Sequence, residues 1–306
     1  MENDILLDRY IQYLQTGGKK EGTVKQYTSD LKQFTSWLDV ASTKGENLLN
    51  VSTDHIASYT DHLKEKNLSK TTVKRHISAI KQLLNYYQVE HAIPTGLTEA
   101  YRAPSLKQTD FISNKDMHQL LKSMKQSNGS AARDVLIHRN LAIIHLIRYN
   151  GFRPKEVSSI TMNMINMGQS TIALNPYTPQ PIYQLSTEHM QHIRDYLQTI
   201  DHTKRPRRQT SNPLFVAFNN RSHDYQYDYE LSEPKRLSVR GIQKMIKEEV
   251  QLAGVRPVSA KHLRNSCILD HILQGRDEDD IQSYFHLTHP FSLYRYAFYA
   301  DLKERP

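Results

Sequence analysis

Apolar residues recur every three or four positions through the first hundred residues. Between 23 and 38 they are Val24, Tyr27, Leu31, Phe34 and Leu38, a single stripe along a helix. Between 71 and 87 they are Val73, Ile77, Ile80, Leu84 and Tyr87, again one stripe, with Ser69 placed to cap the helix start. Ser52 or Thr53 can cap a shorter helix carrying Ile56, Tyr59 and Leu63, and a first helix fits 3–16. Four short amphipathic helices make a small bundle, because each stripe needs another to bury it.

The periodicity stops between 93 and 110, where Pro94, Gly96 and Pro104 break it, and this stretch reads as a linker. The predicted organisation is an N-terminal helical domain over 1–92, a linker over 93–110 and a second domain over 111–306. In the second domain a helix follows Ser113, with Met117, Leu120, Leu121 and Met124 on one side. A strongly apolar helix at 133–149 should be its buried spine. Ser170–Leu174 and Ile182–Leu185 are short β-compatible runs around Asn175-Pro176-Tyr177-Thr178-Pro179, which predicts a hairpin. Helices resume at 187–200, 238–253 and 259–274. The predicted class is mainly α with a small β-sheet: a helical bundle followed by an α+β domain.

Composition narrows the setting. Hydrophobic residues make up 38% of the chain and charged residues 24%, enough for a true core under a solvated surface. The net charge is +8, and it is uneven. Residues 1–105 hold 13 Lys and Arg against 12 Asp and Glu, so a net of +7 falls on residues 106–306. Such an excess suits a polyanionic partner, since Lys and Arg displace counterions from phosphate backbones. Lys204-Arg205-Pro206-Arg207-Arg208 is a basic run in a predicted loop, read either as a solvated turn or as a phosphate contact. Cys267 is the single cysteine, which excludes an internal disulfide and a cysteine-based zinc site. The N-terminal residues lack a signal-peptide pattern, and no apolar run approaches the roughly 18 residues of a membrane span. A cytoplasmic protein with no membrane partner is expected.

Three separated segments carry candidate chemistry: Asn150-Gly151-Phe152-Arg153-Pro154-Lys155-Glu156, Lys261-His262-Leu263-Arg264-Asn265, and His286-Leu287-Thr288-His289 followed by Tyr294-Arg295-Tyr296-Ala297. Taken singly each is ordinary: Arg153 could cap a helix, Arg264 could pair with a surface carboxylate, and Tyr296 is one of 18 tyrosines. Together they supply what phosphodiester cleavage needs. The planar, permanently charged fork of arginine matches two phosphate oxygens. Two such forks stabilise charge developing on the phosphate. A tyrosine can be a covalent nucleophile.

In order and spacing these segments resemble the tyrosine recombinases, the family of phage integrases and Xer-type resolvases. The resemblance covers nearly the whole chain. The family's TGLR-x-x-E turn corresponds to Asn150-Gly151-Phe152-Arg153 with the acid at Glu156. Its H-x-x-R-H box corresponds to the segment holding Leu263-Arg264. Its LGH box corresponds to Tyr284-Phe285-His286, with the nucleophile at Tyr296. The resemblance implies a helical core-DNA-binding domain, a catalytic domain and a 3′-phosphotyrosyl intermediate with a free 5′-hydroxyl. The bond energy stays in that link, so no cofactor is expected. It also implies catalytic roles for Arg153, Lys261, Arg264, His286 and Tyr296.

The departures from the pattern are specific. Lys261 stands where the box usually has histidine, and His262, one position on, would point about 100° away. The hairpin Asn175–Gln180 lacks the lysine that protonates the leaving oxygen in the family; Lys261 or another side chain would take that role. Tyr296 follows His286 by ten residues, one more than usual, which leaves Tyr299 and Tyr294 as competitors and His289 as a reserve for His286. His286 and His289 do not make a metal site, because no further ligand set accompanies them, and no metal is expected. A short tail helix, Tyr299 to Arg305, is expected at the end.

The helix at 69–87 carries Lys70, Lys74, Arg75 and Lys81 opposite its apolar stripe and is the candidate DNA-binding surface, read either as a groove-binding face or as a solvated one. Two helical domains on a linker can clamp a duplex. The expected partners are a double-stranded DNA recombination site and further copies of the chain, a tetramer on two sites passing through a Holliday junction. Resolution and integration of a mobile element both fit. A DNA-binding protein with a decayed recombinase fold, motivated by the absent hairpin lysine, and a type IB topoisomerase-like relaxing enzyme are the other readings.

Overall fold

The computed structural model describes residues 2–41, 47–89, 92–93, 105–174, 181–287 and 290–304. The chain divides into two compact units, Met1–Pro104 and Ser105–Pro306.

The first unit contains α1 (Glu2–Thr16), α2 (Glu21–Ala41), α3 (Thr53–Glu65) and α4 (Lys70–Tyr86). The stripes meet as their spacing requires: Leu31, Phe34, Leu38, Ile56, Ile77 and Ile80 are fully buried. Ser52 and Ser69 cap α3 and α4 through their side-chain oxygens. A carboxylate lies deep in this core. Asp30 is 1% exposed, and Arg75 grips it with Nε at 2.7 Å and Nη2 at 3.0 Å. Arg75, grouped in the sequence with the lysines of α4, thus makes a buried ion pair while its side chain stays 40% exposed. A carboxylate at that depth needs a charged partner, and Arg75 is turned onto it. Lys70 and Lys81 are exposed and Lys74 half-exposed; on a helix these three fall along one line.

The second unit opens with α5 (Asn114–Met124), capped by Ser113, and α6 (Ala131–Tyr149). The run Leu141 to Leu146 in α6 is buried all round, and α8 and α10 pack against this helix. After α7 (Pro154–Ser159) come β1 (Ile165–Asn166), β2 (Thr171–Ala173) and β3 (Ile182–Gln184), an antiparallel sheet in that order. Ile172 pairs with Tyr183, so the expected strands do pair; residues 175–180 lie outside the described residues. α8 (Thr187–Gln198) follows. Two small ladders come next, β4 (Phe218–Asn219) with β5 (Asp224–Tyr225) and β6 (Tyr227–Asp228) with β7 (Glu233–Pro234). The unit ends with α9 (Val239–Leu252), α10 (Ala260–Leu273), α11 (Glu278–Tyr284) and α12 (Pro290–Glu304).

Two expectations change. The last helix begins at Pro290, not at Tyr299, so Tyr296 lies inside it. Leu293, Tyr296 and Ala300 share its inner face, and that face packs toward α10. Residues 105–110, expected within the linker, belong in part to the second unit's core: Leu106 is buried with Phe111, Leu269 and Ala300. Pro94, Gly96 and Pro104 lie outside the described residues. No helix among the described residues is long and apolar enough to cross a membrane.

Candidate active site

α6 delivers the first arginine through a tight turn. Gly151 adopts φ +68°, and a Cβ there would stand 2.1 Å from Cε1 of Phe285, so both backbone and packing demand glycine. Phe152, 1% exposed, sets its ring edge-on to Tyr183 at 4.5 Å. Arg153 is then the N-cap of α7, with Pro154 in the first turn. Glu156 folds back on it: Oε2 accepts from Arg153 N at 2.6 Å and Oε1 from Arg153 Nη1 at 2.7 Å.

α10 delivers the second arginine to the same place. Arg264 donates from Nη1 to Gly151 O and from Nη2 to Phe285 O at 2.7 Å, while Arg153 Nη2 donates to His286 O at 3.3 Å. The two forks thus meet on consecutive carbonyls. Burial, then the charge of Arg153, pushes the Arg264 guanidinium below its usual range, and Glu156 opposes that shift. Arginine nevertheless stays charged. Two cations with one carboxylate between them leave a net positive charge at this place, which suits an anion.

His286 follows α11 with φ +48°, and its Nε2 lies 3.0 Å from the Tyr183 hydroxyl. That hydroxyl donates its one proton to Tyr284 O at 2.8 Å. His286 Nε2–H is therefore the donor to Tyr183, which leaves Nδ1 an acceptor in the neutral ring. Only the imidazolium offers N–H groups on both sides, so a contact from Nδ1 to a phosphate oxygen requires the charged form.

The Tyr296 hydroxyl donates to Asn265 Oδ1 at 2.8 Å, and Asn265 in turn donates to Asp110 O at 2.9 Å. Burial pushes the phenol up, and the positive charges of Arg264, Arg295 and Arg153 pull against that shift. The competitors sit differently: Tyr299 stacks on Phe111 at 4.6 Å, and Tyr294 is 64% exposed beside Phe298. His289 lies outside the described residues.

Lys261 is exposed in the first turn of α10, and it makes no hydrogen bond or ion pair with another described residue. His262 is occupied, because its Nδ1 accepts from Ser259 N at 2.9 Å and caps the helix. The basic run divides likewise. Arg205 donates to Ile200 O at 2.8 Å and Lys204 pairs with Asp224, whereas Arg207 and Arg208 are exposed.

The sequence reading did not foresee Tyr183 or Asn265. Tyr183 had no signal beyond an inward position on a strand. Asn265 did have one, since it stands where the quoted H-x-x-R-H box ends in histidine.

A family model described as the phage integrase N-terminal SAM-like domain matches residues 7–91. The "TnP I resolvase" of Bacillus thuringiensis is 26% identical over 201 residues, covering 62% of this chain and 66% of its own length, just under two thirds. Tyrosine recombinase XerD of Halalkalibacterium halodurans is 23% identical over 277 residues, covering 87% of this chain and 83% of its own. The fold is shared with the Tn1549 transposon integrase, solved in complex with circular intermediate DNA. That similarity has a TM-score of 0.69 at 12% identity and covers 98% of this chain and 99% of the integrase chain.

Proposed function

We propose that this chain, which belongs to the tyrosine recombinase family, cleaves and rejoins DNA through a 3′-phosphotyrosyl intermediate formed on Tyr296. The observation that carries the reading is the position of the Tyr296 hydroxyl. It is bonded to the residue next to Arg264 and lies in the positive field of Arg264 and Arg153. In the proposed reaction the Tyr296 hydroxyl gives up its proton to solvent as its oxygen attacks the scissile phosphorus. Arg153 and Arg264 hold the non-bridging oxygens, as preorganised donors aimed at developing charge. His286, in its charged form, adds a third contact. The bond to the 5′-oxygen breaks, and Lys261 supplies the proton to that oxygen. Attack by a 5′-hydroxyl from another strand reverses these steps and releases Tyr296.

The similarity to a resolvase and the fold shared with a transposon integrase support a task in moving or resolving a mobile element. Double-stranded DNA is the proposed substrate, bound in part by Lys70, Lys74 and Lys81, and a tetramer on two sites the proposed working assembly. The second reading, a DNA-binding protein without catalysis, has one observation in its favour: Asn175–Gln180 contains no lysine.

Covalent trapping decides between them. Nicked duplexes from the ends of the encoding element are incubated with wild type and Tyr296→Phe, and protein–DNA bands that resist detergent are counted. An adduct in wild type that vanishes in the variant is expected. An adduct that persists moves the nucleophile to Tyr299 or Tyr294. Specific binding with no adduct in either protein establishes the second reading.

A further inference from the structure

Four histidines gather on the seam between α6 and α8, apart from the residues assigned to DNA chemistry. His138 and His145 come from α6, and His189 and His192 from α8. His138 Nδ1 stands 3.1 Å from His192 Nδ1 and 3.6 Å from Asp195 Oδ2, and all three donor atoms lie within 4.8 Å of one another. Two imidazole nitrogens facing each other at that distance share either a proton or a cation. Metal–nitrogen bonds of about 2.0–2.1 Å place neighbouring ligands of a tetrahedron about 3.3 Å apart. The two separations from His138 Nδ1, 3.1 Å and 3.6 Å, lie on either side of that spacing.

The surroundings fit as well. Gln191 Nε2 holds Asp195 Oδ1 at 2.7 Å, which fixes the carboxylate and leaves Oδ2 toward the histidines. His192 Nε2 is buried without a hydrogen-bond partner, and Glu188 Oε1 lies 3.9 Å from it. Glu188 Oε1 itself accepts from Lys125 Nζ at 3.2 Å. His145, with both ring nitrogens buried and unpartnered, packs on His189 and His192 and closes the inner side.

We propose that His138, His192 and Asp195 bind one divalent transition-metal ion of the zinc class, with water in the fourth position. Such an ion would tie α6 to α8. α6 runs directly into the Gly151–Arg153 turn, and α8 follows the strand whose Tyr183 holds His286. Asn150 already links these two segments by donating to Gln184 O at 3.0 Å. The ion therefore has a positioning role and no part in the chemical step.

The test uses untagged full-length protein, stripped with chelator and titrated with Co²⁺ alone. One equivalent should bind and give the intense visible absorption of four-coordinate Co²⁺, and Zn²⁺ should displace it and raise the melting temperature. His138→Gln and Asp195→Asn alter half-exposed side chains and should leave the circular dichroism and metal-free melting temperature unchanged. Each should weaken Co²⁺ binding roughly tenfold or more, and together they should abolish the absorption. The same absorption and affinity in the double variant would place the ion among other histidines and overturn the proposal. A wild type that takes up no Co²⁺ at large molar excess would overturn it too, and identify the pair as a hydrogen bond between neutral rings.

Discussion

Glu156 stands between the two arginines of the candidate site: Oε1 accepts from Arg153 Nη1 at 2.7 Å, and Oε2 lies 3.8 Å from Arg264 Nη1. Without that carboxylate the two cations would repel each other whenever no phosphate lies between them. Charge-assisted hydrogen bonds of this kind contribute about 1.5–3 kcal/mol. Glu156→Ala should therefore slow formation of the covalent adduct by roughly 10–100-fold, with a much smaller change in DNA affinity. Single-turnover cleavage beside a binding titration separates the two effects. Equal losses in both would show that Glu156 acts through general stability instead.

The turn at Gly151 makes a sharper demand. Alanine there must adopt φ +68° and drive its Cβ into the Phe285 ring, whose backbone oxygen holds Arg264. Strain of this type costs about 1–3 kcal/mol for the backbone alone. Gly151→Ala should lower the denaturant midpoint and reduce adduct formation further than Glu156→Ala does. A variant with wild-type stability and cleavage would mean that Phe285 yields freely, and the turn would then not set the arginine geometry.

Much of this arrangement was legible in the sequence because it rests on local signals. The stripe through Leu31, Phe34 and Leu38 and the caps at Ser69 and Ser113 place helices without reference to the rest of the chain. The pattern from Gly151 to Glu156 carries its own turn and its own carboxylate. What could not be read depends on long-range pairing. Tyr183 reaches His286 across 103 positions, and Arg75 reaches Asp30 across 45. Nothing near Arg75 in sequence sets it apart from the lysines around it; only the depth of Asp30 does. β1 and the ladders of β4 to β7 are two residues per strand, too short for an alternating pattern to declare itself. The histidines of α6 and α8 left a partial trace, His138 and His145 seven apart and His189 and His192 three apart. The contact between the two pairs belongs to the fold.

The contrast on α4 yields a paired expectation. Arg75→Ala leaves Asp30, 1% exposed, without its charged partner. It should destabilise the first unit by about 2 kcal/mol or more, below the full value for a wholly buried pair because Arg75 is partly exposed. Lys70→Ala and Lys81→Ala should leave stability intact. Each should lower the slope of log affinity against log salt by about 0.9 if it contacts one phosphate. Urea melts and binding isotherms at several salt concentrations check both halves. A salt slope unchanged in both lysine variants would remove this face from the DNA interface.

His271 makes stability depend on pH. Burial, then Arg276, lowers its ring from 6.5 to about 4, with Asp270 opposing. In acid the unfolded chain binds a proton that the folded ring refuses, so the unfolded state is favoured. This contribution is fully present above 6.5 and is lost as pH falls toward about 4. The melting temperature of wild type should fall across that window, and His271→Gln should flatten the decline. An identical profile in the variant would assign the acid sensitivity to other buried histidines, of which His76 in the first unit is one.

Lys261 is the remaining chemical assignment, and it can be tested at a single atom. It stands exposed one helical turn before Arg264, and its proposed task is to give a proton to the departing 5′-oxygen. If so, Lys261→Ala should slow adduct formation by about 10²–10⁴-fold on ordinary DNA, the span typical of a lost general acid. A substrate with sulfur in place of that bridging oxygen has a leaving group that departs without a proton. On it the variant should cleave nearly as fast as wild type. If the defect persists with sulfur, Lys261 contributes only its charge to phosphate binding, and the proton must come from another group. Residues 175–180 include no lysine to fill that role. The search would then turn to His286, whose Nδ1 carries a transferable proton only in the imidazolium form.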